Sequence, residues 1–564
     1  MGFVLADDVI CMILDILGDE IDHNSLFQCA LSSRYLTAHS LSVLYKVCHA
    51  SAVRGGGTED EHFLKPRRFP ATATSFKGEI DPAIRKWALL WRSIALSSLD
   101  QTYLPYYGYL RYLDLDDLGD LLKDPKFTGQ VRDDFYTPEL LEIVSPDYQQ
   151  KGNKRLRYSS RASDLSADSV KLKIGSAIVK KATSIRGMSL NVPTETLLEW
   201  IEGLPLLQSL SIWSGDTLSQ HAGLKLRQNC PKFKQLTIYS WRDRSPGTAE
   251  AESEELLNEL SPNTLECFEV ISMCQLGPRT ITALGSHLQS LSQLKLTSLT
   301  IETIARLPSL STLPSLEVLA LTDSVPAARD ERFYAIVSQV AEWISSCKSL
   351  RQLDFRRFVD DPFLLSQILS NEGVRLTSLS LSGYTMTGSR AFHEALACQR
   401  TLRSLYLSGE GAFPSQDNDI LVHALNQMGD LRELYLKDIS DGFSQDHVMT
   451  MTASLPHLER LWISGDFFDD TVFQAFTHLS KLQSLMIPAF SKFTADGILD
   501  FISQLGPGNR GFSLSVLNAV DSALAEEAQI LISETIKASL DGSFDYGVIQ
   551  ADYSDTGSED GIYG

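Results

Sequence analysis

Gly506, Gly508 and Gly511 form the one glycine-rich signature in this 564-residue sequence with the spacing of a dinucleotide cradle. A working cradle needs a strand before it and a helix after it, so that a pyrophosphate meets a helix N-terminus. Here the apolar spacing runs the other way. Ile498, Phe501, Ile502 and Leu505 read as a helix before the glycines, and Phe512, Leu514 and Val516 as a strand after them. The glycines therefore mark a helix-to-strand turn. Gly-x-Ser-x-Gly, His-Glu-x-x-His and Gly-x-x-x-x-Gly-Lys do not occur, which argues against nucleophile-elbow, zinc-protease and P-loop chemistry. The 11 His residues lack metal-ligand spacing, and His393 with Glu394 reads as the surface of a helix. The 8 Cys residues include no Cys-x-x-Cys pair and read as buried, reduced thiols. No catalytic residue, metal or cofactor is expected.

What remains is binding. Lys and Arg total 50 and Asp and Glu total 71, a net charge of −21. That balance disfavours nucleic acid, whose phosphates call for a basic footprint. The acidity is uneven. Residues 151–186 hold ten Lys or Arg against Asp164 and Asp168, while residues 541–564 hold six Asp or Glu and no Lys or Arg. The basic stretch reads as a solvated loop in which Lys154, Arg155, Arg157 and Arg161 could meet phosphate or an acidic protein. The acidic end reads as a disordered tail.

The elements that would position a binding surface follow from a repeat. Leu-x-x-Leu-x-Leu fits Leu376, Leu379 and Leu381; Leu402, Leu405 and Leu407; and Leu431, Leu434 and Leu436. It continues through Leu458, Leu461 and Ile463 to Leu482, Leu485 and Ile487, and backwards from Leu350 to Leu265, with looser copies from Phe233, Leu207 and Ile185. Between copies, apolar residues recur every three or four positions, as in Val448, Met451 and Leu455. Each unit is one strand plus one helix, and neither can bury its apolar side alone, so stacked units share one core. The wider spacings, Phe233 to Leu265 and Leu316 to Leu350, mark inserted loops.

Along each strand, the residue between the last two template positions faces away from that core. Read across the array, this position ends in Tyr406, Tyr435, Trp462 and Met486, an apolar and aromatic patch expected to hold a protein substrate. Two residues further along stand Trp213, Tyr239, Arg356 and Lys437.

Near the N-terminus, Val9, Ile13, Ile16 and Leu17 share one helical face. Ser25 is placed to cap a second helix and Ser40 a third. Asp7, Asp8 and Asp15 interrupt this stretch and no basic region precedes it, so it does not read as a signal peptide. No run of about 18 apolar residues suggests a membrane span. The chain is expected in the cytoplasm or nucleus.

The repeats resemble the long, helix-bearing class of leucine-rich repeat. The family's Asn or Cys three residues after the last template Leu is missing here, replaced for example by Ile439. The segment Leu5-Ala6-Asp7-Asp8-Val9, with Ile13, Leu17 and Leu26, then Ala30-Leu31-Ser32-Ser33-Arg34-Tyr35, resembles an F-box, with Ala6 and Ser32 departing from its usual Pro and Val. Together with Leu90-Trp91-Arg92-Ser93-Ile94, this resembles fungal F-box/leucine-rich-repeat proteins. The resemblance implies an α/β solenoid preceded by a small all-α module, and the work of a ubiquitin-ligase substrate receptor. Leu5, Val9, Ile13, Leu17 and Leu31 would dock the adaptor of a cullin-type ligase. Two other readings stand beside it: a non-catalytic scaffold whose helices only cap the repeats, and a small-GTPase regulator. The expected organisation is a helical module over 1–50, a linker and helical connecting segment over 51–109, a possible first repeat with the basic loop over 110–180, the solenoid over 181–540 and the acidic tail over 541–564.

Overall fold

The computed structural model describes residues 7–49, 82–144, 165–311, 313–323, 330–358, 361–386, 388–409, 417–440, 442–465 and 468–549. The chain divides into two compact units, residues 1–275 and 276–564. Both are built from parallel strands in sequence order. In the first unit these are β1 (Tyr112–Asp114), β2 (Gly187–Leu190), β3 (Ser209–Ser214), β4 (Gln235–Ser240) and β5 (Cys267–Val270). In the second they are β6 (Gln293–Leu299), β7 (Val318–Asp323), β8 (Gln352–Arg356), β9 (Ser378–Tyr384), β10 (Ser404–Gly409), β11 (Glu433–Lys437), β12 (Arg460–Ile463), β13 (Ser484–Ser491), β14 (Ser513–Ala519) and β15 (Ser543–Ile549). This is an α/β leucine-rich-repeat solenoid.

The template residues explain the register. Leu379 pairs with Leu405 and Leu405 with Leu434, and the next template position aligns Leu381, Leu407, Leu436 and Ile463 in the same way. These side chains are all buried. A slip of one residue would turn each strand's leucines out of the core, so burial fixes the pairing. Full burial of one leucine contributes about 2 kcal/mol, and the repeat supplies three per strand.

Some of the helices between strands start on side-chain caps. The Asp330 carboxylate accepts from the Phe333 N–H at 2.8 Å and opens the helix Glu331–Ser346. Thr494 accepts from the Gly497 N–H and opens Ala495–Gln504. That helix runs into the turn at Gly506, and β14 follows, so the three glycines connect a helix to a strand as their flanking pattern implies. The two wider spacings hold helices as well as loops: Thr248–Glu259 in one, Glu331–Ser346 in the other.

The missing Asn of the repeat has substitutes on the other side of the strand. Three residues before the strand's first template apolar, Gln399 donates to the carbonyls of Leu369 and Val374 while its own oxygen accepts from the Leu376 N–H. At the same position Asn509 donates to Leu479 and Leu482, and the Cys230 thiol reaches the carbonyls of Ile201 and Leu204. Each spans to the preceding coil and satisfies carbonyls that would otherwise be buried unpaired.

Several expectations need correction. The second helix, His23–Ser32, is capped by Asp22, whose carboxylate accepts from the Ser25 N–H; Ser25 lies inside it. The third, Arg34–Lys46, is capped by Ser33, and Ser40 is buried at its middle. His393 is fully buried, whereas Glu394 is exposed and pairs with Arg390. Burial pulls the His393 pKa down to about 4, because the charged imidazolium would lose its hydration. The tail begins later than expected: residues 543–549 are β15, paired with β14 over its full length, and 550–564 lie outside the described residues. The basic stretch is not one loop. Residues 151–164 lie outside the described residues, Ala167–Val179 is a helix, and Lys171 is buried against Asp116 at 3.4 Å. All eight cysteines are free thiols, and Cys398 departs from the expected burial by being exposed.

Candidate functional site: two apolar surfaces and a groove

The N-terminal module is the helix Asp7–Asp19 followed by His23–Ser32 and Arg34–Lys46. Its interior is small: Leu14, Leu26, Ala30, Val43, Leu44 and Tyr45. The first helix comes so close to the third that a Cβ on Gly18 would stand 2.6 Å from Val43 Cγ1. Tyr45 ties the module to the rest of its unit. Its hydroxyl lies 2.6 Å from Ser93 Oγ, and its ring stacks on Tyr106 at 4.7 Å. Below it, Trp87 and Trp91 of the helix Pro82–Ser98 both donate to one Asp117 carboxylate oxygen, at 2.7 and 2.8 Å. This buried carboxylate satisfies two indole N–H groups and pins the connecting helix.

The face of the first helix read from the sequence points outward. Val9 and Ile13 are exposed, Leu17 is half-buried and Leu31 is 66% exposed; Leu5 lies outside the described residues. Leu14 is the buried anchor instead. Ile16, which the sequence placed on this face, and Tyr35 are exposed too, as are Met12 and Phe27, which sequence reasoning missed. Val9, Met12, Ile13 and Ile16 fall at helical spacing along one side of the first helix, and Phe27 and Leu31 along one side of the second. The Tyr35 hydroxyl donates to Asp7 and joins the third helix to the start of the first. More large apolar side chains of this module are exposed than buried, and contiguous exposed apolar surface is the kind that marks an interaction site.

In the second unit the strands bring Tyr406, Tyr435, Trp462 and Met486 into one row, each paired with the next. The row is not the open patch that alternation suggests. Tyr435 is only 6% exposed and the other three are half-buried. Its ring lies between Tyr406 at 5.9 Å and Trp462 at 6.5 Å. Lys437 Nζ sits 5.5 Å from the Trp462 ring centroid, a cation–π contact. Burial raises the pKa of both tyrosines, so their phenols stay neutral. Large residues at four successive positions fill the space above their own strands.

The first unit differs. Its row contains Ser189, Ser211 and Thr237, which leave a groove of about 1250 Å³ above the sheet. Two residues beyond, Trp213 stacks on Tyr239 with ring centroids 4.0 Å apart and planes 11° apart. Both rings stay exposed, Trp213 at 51%. The helix Leu115–Lys123 and the start of Ala167–Val179 also line the groove, bringing Asp116, Asp120, Lys123, Asp168 and Lys171. The spacing of Trp213 and Tyr239 placed them on the outward face; that they stack beside acidic helices follows from packing.

One further cluster was invisible in the spacing. His221 Nδ1 lies 2.9 Å from Glu255 and 2.6 Å from Glu259, three donors of the kind a metal ion uses. They contact one another directly. The Glu259 hydrogen bond raises the His221 pKa.

No helix among the described residues is long and apolar enough to cross a membrane. No protein-family model matches the chain, and no curated protein matches it. Solved structures do. An internalin (inlF) from Listeria monocytogenes is 14% identical, with 74% of this chain and 94% of that one covered and a TM-score of 0.35. The complex of Rad7 and Elc1 in yeast gives 14% identity over 62% of this chain and 87% of that one, with a TM-score of 0.37. A TLR13–ssRNA13 complex gives 14% identity over 66% of this chain and 52% of that one, with a TM-score of 0.32.

Proposed function

We propose that the chain is a non-catalytic receptor that holds a protein on its repeats while its N-terminal helices dock the adaptor of a cullin-type ubiquitin ligase. One observation carries the adaptor half. The helices that resemble an F-box expose Val9, Met12, Ile13, Ile16 and Leu31 although their own core is small. Helices that merely capped the repeats would turn that face inward, since exposed apolar area costs about 25 cal/mol per Å². Such a receptor needs no reactive side chain. It raises the local concentration of one bound protein near another, and the gain is that of an intramolecular encounter.

The test is co-purification of the full chain with a ubiquitin-ligase adaptor. Ile13→Asp combined with Leu31→Asp places two charges on exposed positions, so the fold is retained and adaptor binding is expected to vanish. No adaptor with the parent chain, or undiminished adaptor with the double variant, overturns the reading.

A further inference from the structure

We infer that the groove of the first unit selects an arginine or lysine side chain on an extended segment of the captured protein, held between the open face of Trp213 and the carboxylates of the groove. This deepens the protein-capture half of the proposed function and does not depend on the adaptor half.

Three features of the groove converge on a cation. The first is the aromatic platform. Tyr239 of β4 covers one face of Trp213. The indole nevertheless stays 51% exposed and lines the groove, so ring surface that Tyr239 does not cover is open to it. An indole face is the best side-chain surface for an ammonium or guanidinium ion. A ring kept half exposed in a rigid stack also loses little entropy when a ligand covers it.

The second feature is charge. The lining holds the four carboxylates Asp116, Asp120, Asp168 and Asp216 and the two ammonium groups Lys123 and Lys171, so its net charge is 2 − 4 = −2. Lys171 is buried against Asp116 and Lys123 pairs with Asp168 at 3.1 Å, so both positive charges are held by the groove's own walls. Asp216 follows the end of β3; it pairs with the exposed Arg244 at 3.9 Å and keeps 37% of its own side chain exposed. A phosphate or carboxylate entering here would meet like charge; a cation would meet opposite charge beside an indole face.

The third feature is the floor. Ser189, Ser211 and Thr237 are small and polar, so backbone can approach the sheet closely; Ser189 and Thr237 already donate to Asp116 and Glu269, and their oxygens remain acceptors for a peptide N–H. An extended peptide fits this better than a folded surface, because its backbone donors and acceptors need partners once desolvated.

The experiment is selection of a random 12-residue phage-displayed peptide library on the immobilised full chain, repeated on Trp213→Ala and on Asp216→Asn. Peptides from the parent chain are expected to carry Arg or Lys at one shared position. Replacing that residue by a neutral counterpart (citrulline for Arg, acetyl-lysine for Lys) should weaken binding by about tenfold, and Trp213→Ala should do the same. Asp216→Asn should weaken it by about fivefold. Glu342→Gln removes one negative charge from the exposed side of a second-unit helix and should change nothing, which separates the groove from the net charge of −21. No shared cationic position, equal binding of the neutral counterpart, or equal loss in Glu342→Gln would overturn the inference. Adaptor co-purification is read separately. Its loss with peptide selection intact sinks only the adaptor reading, and the converse sinks only the groove.

Discussion

Aromatic side chains crown the strands in both units, yet one set is a closed row and the other an open stack. In the second unit Tyr406, Tyr435, Trp462 and Met486 are register neighbours and cover one another. In the first, Trp213 and Tyr239 stand two residues beyond Ser211 and Thr237, whose small side chains do not cover them, and both rings stay exposed. The strand pattern that points both sets outward is the same. Exposure is decided by the size of the neighbours across the ladder, since side chains about 5 Å apart on parallel strands shield each other when all are large. A row of large residues becomes a second small core, whereas a pair beside serines becomes a surface available to a ligand.

The sharpest way to break this contrast is to truncate one member of each set. Tyr435→Ala should cost about 3 kcal/mol of stability, as expected for an aromatic ring removed from packed surroundings. It should be read from the shift in urea midpoint with unchanged m-value. Comparable peptide binding before and after would confirm that the row serves the fold.

A second contrast is chemical. His393 in the second unit is buried with its pKa lowered to about 4. Its neutral form is the one folded structure accepts, so its contribution is fully present above the ordinary histidine range and is lost as pH falls toward 4. The loss should approach about 3 kcal/mol at that end, and His393→Gln should flatten the slope. His221 in the first unit runs oppositely. Its pKa is raised by Glu259, so its contact is strongest below the ordinary histidine range and fades as pH rises through the raised value. Unfolding curves between pH 8 and pH 4 should therefore show two opposite slopes, one below the ordinary histidine range removed by His393→Gln and one above it removed by His221→Gln.

The smallest effect is expected for Trp213→Ala, under about 1 kcal/mol in the same urea measurement, because an exposed ring has little packing to lose. A loss as large as that of Tyr435→Ala would mean that the stack is structural, and the groove would lose its claim on a ligand.

Much of this organisation was legible in the chain. The leucine spacing specified strand, helix and register, because burial of a one-sided strand admits a single phase. The helix-then-strand order around Gly506 was written in the flanking apolar spacing and is the order found. Of the residues the resemblance would use for docking, Val9, Ile13 and Leu31 are exposed, Leu17 is half-buried and Leu5 lies outside the described residues. The parts that were not legible share a cause. Alternation says which way a side chain leaves its own strand, but it does not say what stands beside it. Tyr435 was therefore read as open and is buried, and His393 was read as surface and is fully enclosed by neighbouring coils.

By itself, then, the sequence determined the periodic elements, their pairing and their inward faces, since these depend on residues close along the chain and on a period that burial enforces. Only the tertiary structure decided which outward faces stay open, where Gln399 and Asn509 replace the usual inter-coil amide, and how Trp213 comes to line one groove with four carboxylates. Those outcomes depend on side-chain volumes and charges brought together from separate repeats and helices, and no local spacing encodes them.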